Sequence, residues 1–354
     1  RSFFNSASAE MSLRLMDMAP ADFARFANAL ASLAIGSTKF FSSVARAAVA
    51  RADRFAPAEL VSLVQAFDEA QWFHAPLYDS LARSLRANAK HAAPKDVVLG
   101  LASLAKYGVR GDGLDRAIGD HLAGAPIKDG LLNAEEACSA AWAFCVLELH
   151  HDGLFRAVFR ALEDAPVQAS RTLCQLYEIH LALKAFRRSA YSEYELEDDT
   201  VRSLREHYRK HPAFLKKERS SERLQADISE VLREVLDASV STSYTTPLGL
   251  AVDIAATTKS RRSSSSGPEL IVAIEVDGPH TLMRSLDPSE SSAASAAPRV
   301  HGSVNLKRRL LQKNGTRLVI FTEEKYRGLD GSRERREFLR SLLKAAGVSK
   351  DRLL

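Results

Sequence analysis

Cysteine is scarce in this chain of 354 residues, which has only Cys138, Cys145 and Cys174. Three thiols at these spacings build neither a disulfide scaffold nor a zinc site. Cys138 and Cys145 stand seven apart, on one face of a helix, and read as small buried hydrophobes. Long apolar runs are missing too. The longest, Ala140 to Leu147, is eight residues, far short of the roughly 18 that cross a membrane, so no membrane partner is expected. Acidic residues are absent from Arg1 to Ala9, a stretch of Ser, Ala and Phe without an initiator Met. It is compatible with the end of a transit peptide. The composition, 46% hydrophobic and 26% charged, is that of a globular protein large enough for two or three domains.

The formal net charge of +5 is unevenly spread. Residues 1–165 carry 17 Lys+Arg against 19 Asp+Glu, and residues 166–354 carry 32 against 25. A slightly acidic first half is therefore joined to a second half of net +7. That asymmetry points to a polyanion as partner of the second half.

The first half repeats. Pro20, Pro57 and Pro94 recur 37 residues apart, each preceded by Ala and followed by an acid: Asp22, Glu59 and Asp96. A fourth unit starts at Ala134, with Glu136 as its acid. Proline loses no needed hydrogen bond in a first helical turn, and the acid faces the positive end of the helix dipole. Three residues past each start stand Phe23, Leu60, Val97 and Ala137, and ten past it Leu30, Phe67, Leu104 and Phe144. A second helix in each unit carries Phe40/Val44/Ala48, Leu77/Leu81/Leu85, Leu114/Ile118/Leu122 and Leu154/Val158/Leu162. Four-residue steps keep these side chains on one face. The pattern predicts an α-solenoid of helical hairpins. Arg171 to Phe186 continues the helical period as a cap. No polar position repeats cleanly in all four units.

A basic helix is expected next, over Val201 to Arg219. Arg205, Arg209, Lys210, Lys216 and Lys217 are candidates for gripping RNA phosphates, with Tyr208 and Phe214 available for base stacking. The competing reading is a solvated linker. Units of about 37 residues resemble the octotricopeptide and heptatricopeptide repeats, helical hairpins that bind organellar RNA. That resemblance spans roughly residues 18–165.

From Ser221 the pattern changes to a small α/β domain. An amphipathic helix (Leu224, Ile228, Val231, Leu232, Val235, Leu236) leads to strands at Leu248–Ala256 and Leu270–Asp277. A Ser/Arg-rich loop, Ser260 to Pro268, separates them. A Ser/Ala tract, Ser285 to Pro298, reads as a mobile insertion. A basic helix at Val304–Lys313, a strand at Arg317–Thr322 and a last helix at Ser332–Ala346 complete the chain.

Period-two geometry puts Glu275 and Asp277 on one face of their strand, and Asp253 on the neighbouring strand can face the same way. Such clustered carboxylates repel unless protonated, paired with a base or bridged by a cation. They are candidate ligands of Mg²⁺, which activates water for phosphodiester cleavage. The arrangement resembles the restriction-endonuclease-like fold, whose second motif ends in lysine. Here Glu275-Val276-Asp277 has an aspartate in that place, and Lys307 on the following helix is the candidate substitute. Asp253, Glu275, Asp277 and Lys307 are thus the candidate catalytic set.

A more specific resemblance follows from "VAIEVDGPH" (Val272–His280), "LKRRLLQKNGTRLVIF" (Leu306–Phe321) and "RREFLRSLL" (Arg335–Leu343). Together they resemble the RAP domain, over about residues 222–347. His280 stands where that family usually has Ser, and the segment after the last strand is poor in aromatics. The resulting organisation is an N-terminal extension (1–17), the repeat array (18–165), a capping helix with a basic linker helix (166–220) and a RAP domain (221–350). Membership implies a restriction-endonuclease-like fold and a mitochondrial RNA-binding protein of the matrix, with the plastid as alternative. RNA, rRNA or mRNA, is the implied partner, in company with ribosomal proteins if the chain belongs to a mitoribosome. Lys307, Arg308, Arg309, Lys313 and Arg317 are the candidate phosphate contacts, with His280 beside them. No cofactor is expected beyond Mg²⁺, should the carboxylates hold one. The alternatives are a metal-dependent ribonuclease and a protein-binding scaffold.

Overall fold

A computed structural model of the chain describes residues 14–35, 37–124, 127, 129–164, 167–186, 195–211, 219–258, 269–279, 281–286 and 299–354. His280, Lys216, Lys217, Phe214, residues 1–13, the 260–268 loop and residues 287–298 of the Ser/Ala tract lie outside them. The described residues are mostly helical, with a small four-stranded mixed sheet near the C-terminal end. The chain divides into two compact units. One holds the residues up to Ile179 together with Leu282–Ser303, the other His180–Thr281 and Val304–Leu354.

In the first unit the helices run α1 (Pro20–Ser32), α2 (Thr38–Ala50), α3 (Pro57–Glu69) and α4 (Ala75–Asn88). They continue as α5 (Pro94–Tyr107), α6 (Leu114–Leu122), α7 (Ala134–Leu147) and α8 (Asp152–Asp164), followed by α9 (Ser170–Phe186), which passes into the second unit at His180. The four first helices start at the residues their repeat predicts. Proline occupies the first turn of α1, α3 and α5. At α7 the capping role passes to Asn133, whose side chain accepts from the Glu136 amide while Glu136 reaches back to the Asn133 amide. First helices pack on first helices (α1 on α3, α3 on α5, α5 on α7) and second on second (α2 on α4, α4 on α6, α6 on α8). The registered side chains are buried throughout, except for Leu162, which is half-buried.

Polar groups join α1 to α3, α3 to α5 and α7 to α9. Asn28 donates to the carbonyl and hydroxyl of Ser62 at 2.8 and 2.9 Å. Ser103 donates to Asp68 at 2.5 Å, and Trp142 Nε1 donates to Glu178 at 2.5 Å. Ser139 and Gln175 are 3.2 Å apart. Glu135 accepts from the amide of Ala169 at 2.9 Å and from the Thr172 hydroxyl, at the entry to α9. Each link joins residues 34 to 37 apart, so these polar side chains tie successive helices of the stack together.

In the second unit, α10 (Asp198–Lys210) is followed by α11 (Arg219–Val235), β1 (Ser239–Thr245), β2 (Ala251–Thr257) and β3 (Leu270–Asp277). Then come α12 (Gly302–Lys313), which enters this unit at Val304, β4 (Leu318–Thr322), α13 (Glu323–Arg327) and α14 (Gly331–Ala345). The expected helix from Val201 to Arg219 is corrected. It ends at Lys210 because Pro212 forces His211 into an extended conformation, with φ −66° and ψ 131°. β2 begins at Ala251 rather than Leu248, since Gly249 takes φ 80° in a turn closed by Thr246 and Leu250.

The sheet order is β1-β2-β3-β4, antiparallel except for the parallel β3–β4 pair, which α12 connects. Ile254, Ala256, Val272, Ile274, Val319 and Phe321 form the apolar face, packed with Ile228, Leu232 and Val235 of α11 and Leu339 and Leu343 of α14. The opposite face carries the acids.

Candidate nucleic-acid interface and its carboxylate cluster

β3 alternates. Ile274 enters the core, while Glu275 and Asp277 leave from the other face, each only 5% exposed. In the β2–β3 register Ile254 pairs with Ile274, so the next step sets Asp253 beside Glu275. The three acids therefore share a face, as the spacing predicts.

Each acid has a protein partner. Lys307 Nζ lies 2.9 and 2.7 Å from the two oxygens of Glu275 and 3.3 Å from the Ala251 carbonyl. The lysine of α12 thus reaches the strand motif that lacks one. Arg308 donates to Asp277 Oδ1 at 2.5 Å, and the Thr281 hydroxyl donates to the same oxygen at 3.1 Å. Asp253 accepts from Gln225 Nε2 at 3.0 Å through one oxygen and from the Val276 amide at 2.9 Å through the other. Burial pushes the Glu275 carboxyl above its ordinary range, and Lys307 partly offsets this while Asp253 adds to it.

Of the three remedies for carboxylate repulsion, pairing with bases is the one these contacts provide for Glu275 and Asp277. A divalent cation would have to displace Lys307 from both oxygens of Glu275 and compete for an Asp253 whose two oxygens are engaged. As arranged, the three carboxylates are held by protein donors.

The candidate phosphate contacts separate into two groups. Lys307 and Arg308 are held by carboxylates, and Arg308 is buried. The Arg309 guanidinium lies 5.8 Å from the centre of the Phe186 ring. Lys313, at the end of α12, and Arg317, before β4, are exposed. On α10, Arg209 and Lys210 are exposed and Arg205 is half-buried. Tyr208, expected to be available for stacking, is 2% exposed. It faces inward with Leu204, so it offers no face to a base. The residues that sequence reasoning missed here are Gln225 and Thr281. Nothing in their local sequence marks them as partners of acids, since one comes from α11 and the other from the turn after β3.

No protein-family model matches the chain, and no curated protein matches it.

Proposed function

We propose that the chain is a non-catalytic RNA-binding protein of the RAP type. Its helical repeats precede a small restriction-endonuclease-like domain that holds organellar rRNA, in the setting of a mitochondrial ribosome. One observation carries this reading: the placement of charge. Two cations of α12 are consumed by Glu275 and Asp277, yet Arg209, Lys210, Lys313 and Arg317 remain exposed on a half with net charge +7. Exposed cations neutralise phosphates and release counterions, which yields affinity with little dependence on sequence.

The test is fluorescence anisotropy of a labelled single-stranded RNA against the full chain over a series of salt concentrations. The expected result is an affinity that falls steeply with salt. Arg209→Glu, Lys210→Glu, Lys313→Glu and Arg317→Glu together should weaken it by at least about tenfold and flatten the salt slope. Affinity unchanged in that variant would overturn the proposed contacts.

The ribonuclease alternative draws on Lys307 reaching Glu275, but the paired carboxylates speak against it. Mg²⁺-dependent cleavage of the same RNA, abolished by Asp253→Ala, would replace the non-catalytic reading.

A further inference from the structure

Within the first unit, residues 282–286 lie against the turn between α3 and α4 as an extended strand. Phe73 and Ser285 form a parallel bridge. The Phe73 amide donates to the Arg284 carbonyl at 2.9 Å, and the Leu286 amide donates to the Phe73 carbonyl at 2.7 Å. The turn is shaped to accept them. Gln71 takes φ 59° and His74 is extended, so the backbone of Phe73 is strand-like between two helices.

Side chains complete the seat. Leu286 and Val300 are buried, and Leu282 bridges Val300 while the Met283 amide donates to the Arg299 carbonyl at 3.0 Å. The exposed Arg299 places its guanidinium 5.4 Å from the centre of the Phe73 ring. Beneath, Phe73 stacks on Tyr107 and tilts against Tyr78, whose hydroxyl donates to Asp68. Gly302 closes the far end, so near Ala105 that a Cβ there would stand 1.9 Å from its carbonyl oxygen.

We infer that the Phe73 turn is a docking site for an extended polypeptide carrying an aliphatic residue, and that residues 282–286 fill it in cis as a reversible latch. Main-chain bonds on both sides of one residue supply affinity, and the buried seat of Leu286 supplies selectivity, which is recognition by strand addition. Residues 282–286 meet the turn as a short strand, through two backbone bonds to Phe73 and the buried Leu286, and not as a helix of the stack. The segment therefore opens locally without the repeats unfolding. When it opens, Phe73 and Tyr107 become available to a second extended chain. This inference concerns polypeptide and does not depend on RNA binding by the other unit.

The experiment uses the full chain and a labelled peptide with the sequence of Leu282–Leu286. Leu286→Pro removes the donor to the Phe73 carbonyl and releases the latch. The expected result is peptide binding at least about tenfold tighter in Leu286→Pro than in the native chain, where the tethered segment competes at high effective concentration. Adding Phe73→Ala should abolish that gain. Equal binding by the native and Leu286→Pro chains, or a gain that survives Phe73→Ala, would overturn the inference. If Leu286→Pro does not fold, native hydrogen exchange decides. Amides of residues 282–286 should exchange at least about tenfold faster than those of α3 and α5, and concerted exchange of all three would overturn the latch.

Discussion

Lys307 grips both oxygens of Glu275, and the two are unequally shielded. The carboxylate is 7% exposed at its side chain, the lysine 22%. Removing the lysine strands a buried charge, whereas removing the acid frees a lysine that partly reaches water. Lys307→Met should therefore cost about 3 kcal/mol, and adding Glu275→Gln should recover most of it. Denaturant unfolding at neutral pH checks both. A Lys307→Met chain as stable as the native one would show that the pair contributes nothing. The pH dependence has a defined sign. Because burial raises the Glu275 pKa in the folded chain, its favourable contribution is complete below the unfolded value and is lost as pH rises through the folded one. Loss of Lys307 raises that value further, so the variant should weaken over a wider range of rising pH.

Arg51 supports the start of the array. Its guanidinium donates to the carbonyls of Leu15, Met16 and Met18 at 2.7, 3.0 and 2.6 Å, while the residue itself is 6% exposed. No neutral side chain supplies three donors in that fork. Arg51→Met should cost about 2 kcal/mol, the lower part of the range because the exposed Met16 lets water reach the freed carbonyls. Arg51→Lys should recover less than half, since an ammonium cannot fork. Thermal unfolding measures the cost, and hydrogen exchange of residues 14–18 should rise in both variants. Unchanged exchange there would remove Arg51 from this role.

The legible parts of the sequence are those in which one local signal governs the outcome. Proline followed by an acid marked the starts of α1, α3 and α5, and β3 was readable at both ends because its apolar run lies between Pro268 and Gly278. β1 escaped notice for the converse reason. Ser239, Ser241, Thr242 and Ser243 are exposed on an edge strand that exists through its ladder to β2, so no hydrophobic alternation announces it. The shared face of Asp253, Glu275 and Asp277 followed from period two. That Lys307 reaches Glu275 did not, because the path of α12 between two parallel strands decides it. The bridge from Phe73 to Ser285 joins segments over two hundred residues apart, and no local pattern records such a contact.

His180 confers a pH dependence opposite in sign to that of Glu275. It is 3% exposed, and burial, helped by Lys184, pushes it down to about 4 from 6.5. A histidine kept neutral in the fold contributes stability that is complete above the unfolded value and is lost as pH falls toward the folded one. The window is therefore pH 6.5 down to about 4. One proton over that interval is worth at most about 3 kcal/mol. Denaturant unfolding of the native chain and His180→Gln at pH 7.5, 5.5 and 4 should show the native chain losing more stability on acidification. Parallel curves would mean that His180 does not carry the effect.

Gly119 should respond to substitution against helix propensity. It lies inside α6, where replacing glycine by alanine ordinarily stabilises by about 1 kcal/mol. Here an added Cβ would stand 2.3 Å from Cγ of His151 and 2.7 Å from its Cβ. The ring cannot swing aside without loss, because Nδ1 accepts from the Leu154 amide at 2.9 Å and Nε2 lies 3.0 Å from Asp120 Oδ1. The contact falls near the root of the side chain, so the helices themselves must separate. Gly119→Ala should thus destabilise by about 1–3 kcal/mol, the usual cost of overpacking. In a His151→Gly background, where both the ring and its Cβ are gone, the same substitution should be neutral or stabilising. A double-mutant cycle by denaturant unfolding reads that reversal as a coupling energy. A penalty of equal size in both backgrounds would place the obstruction elsewhere than His151.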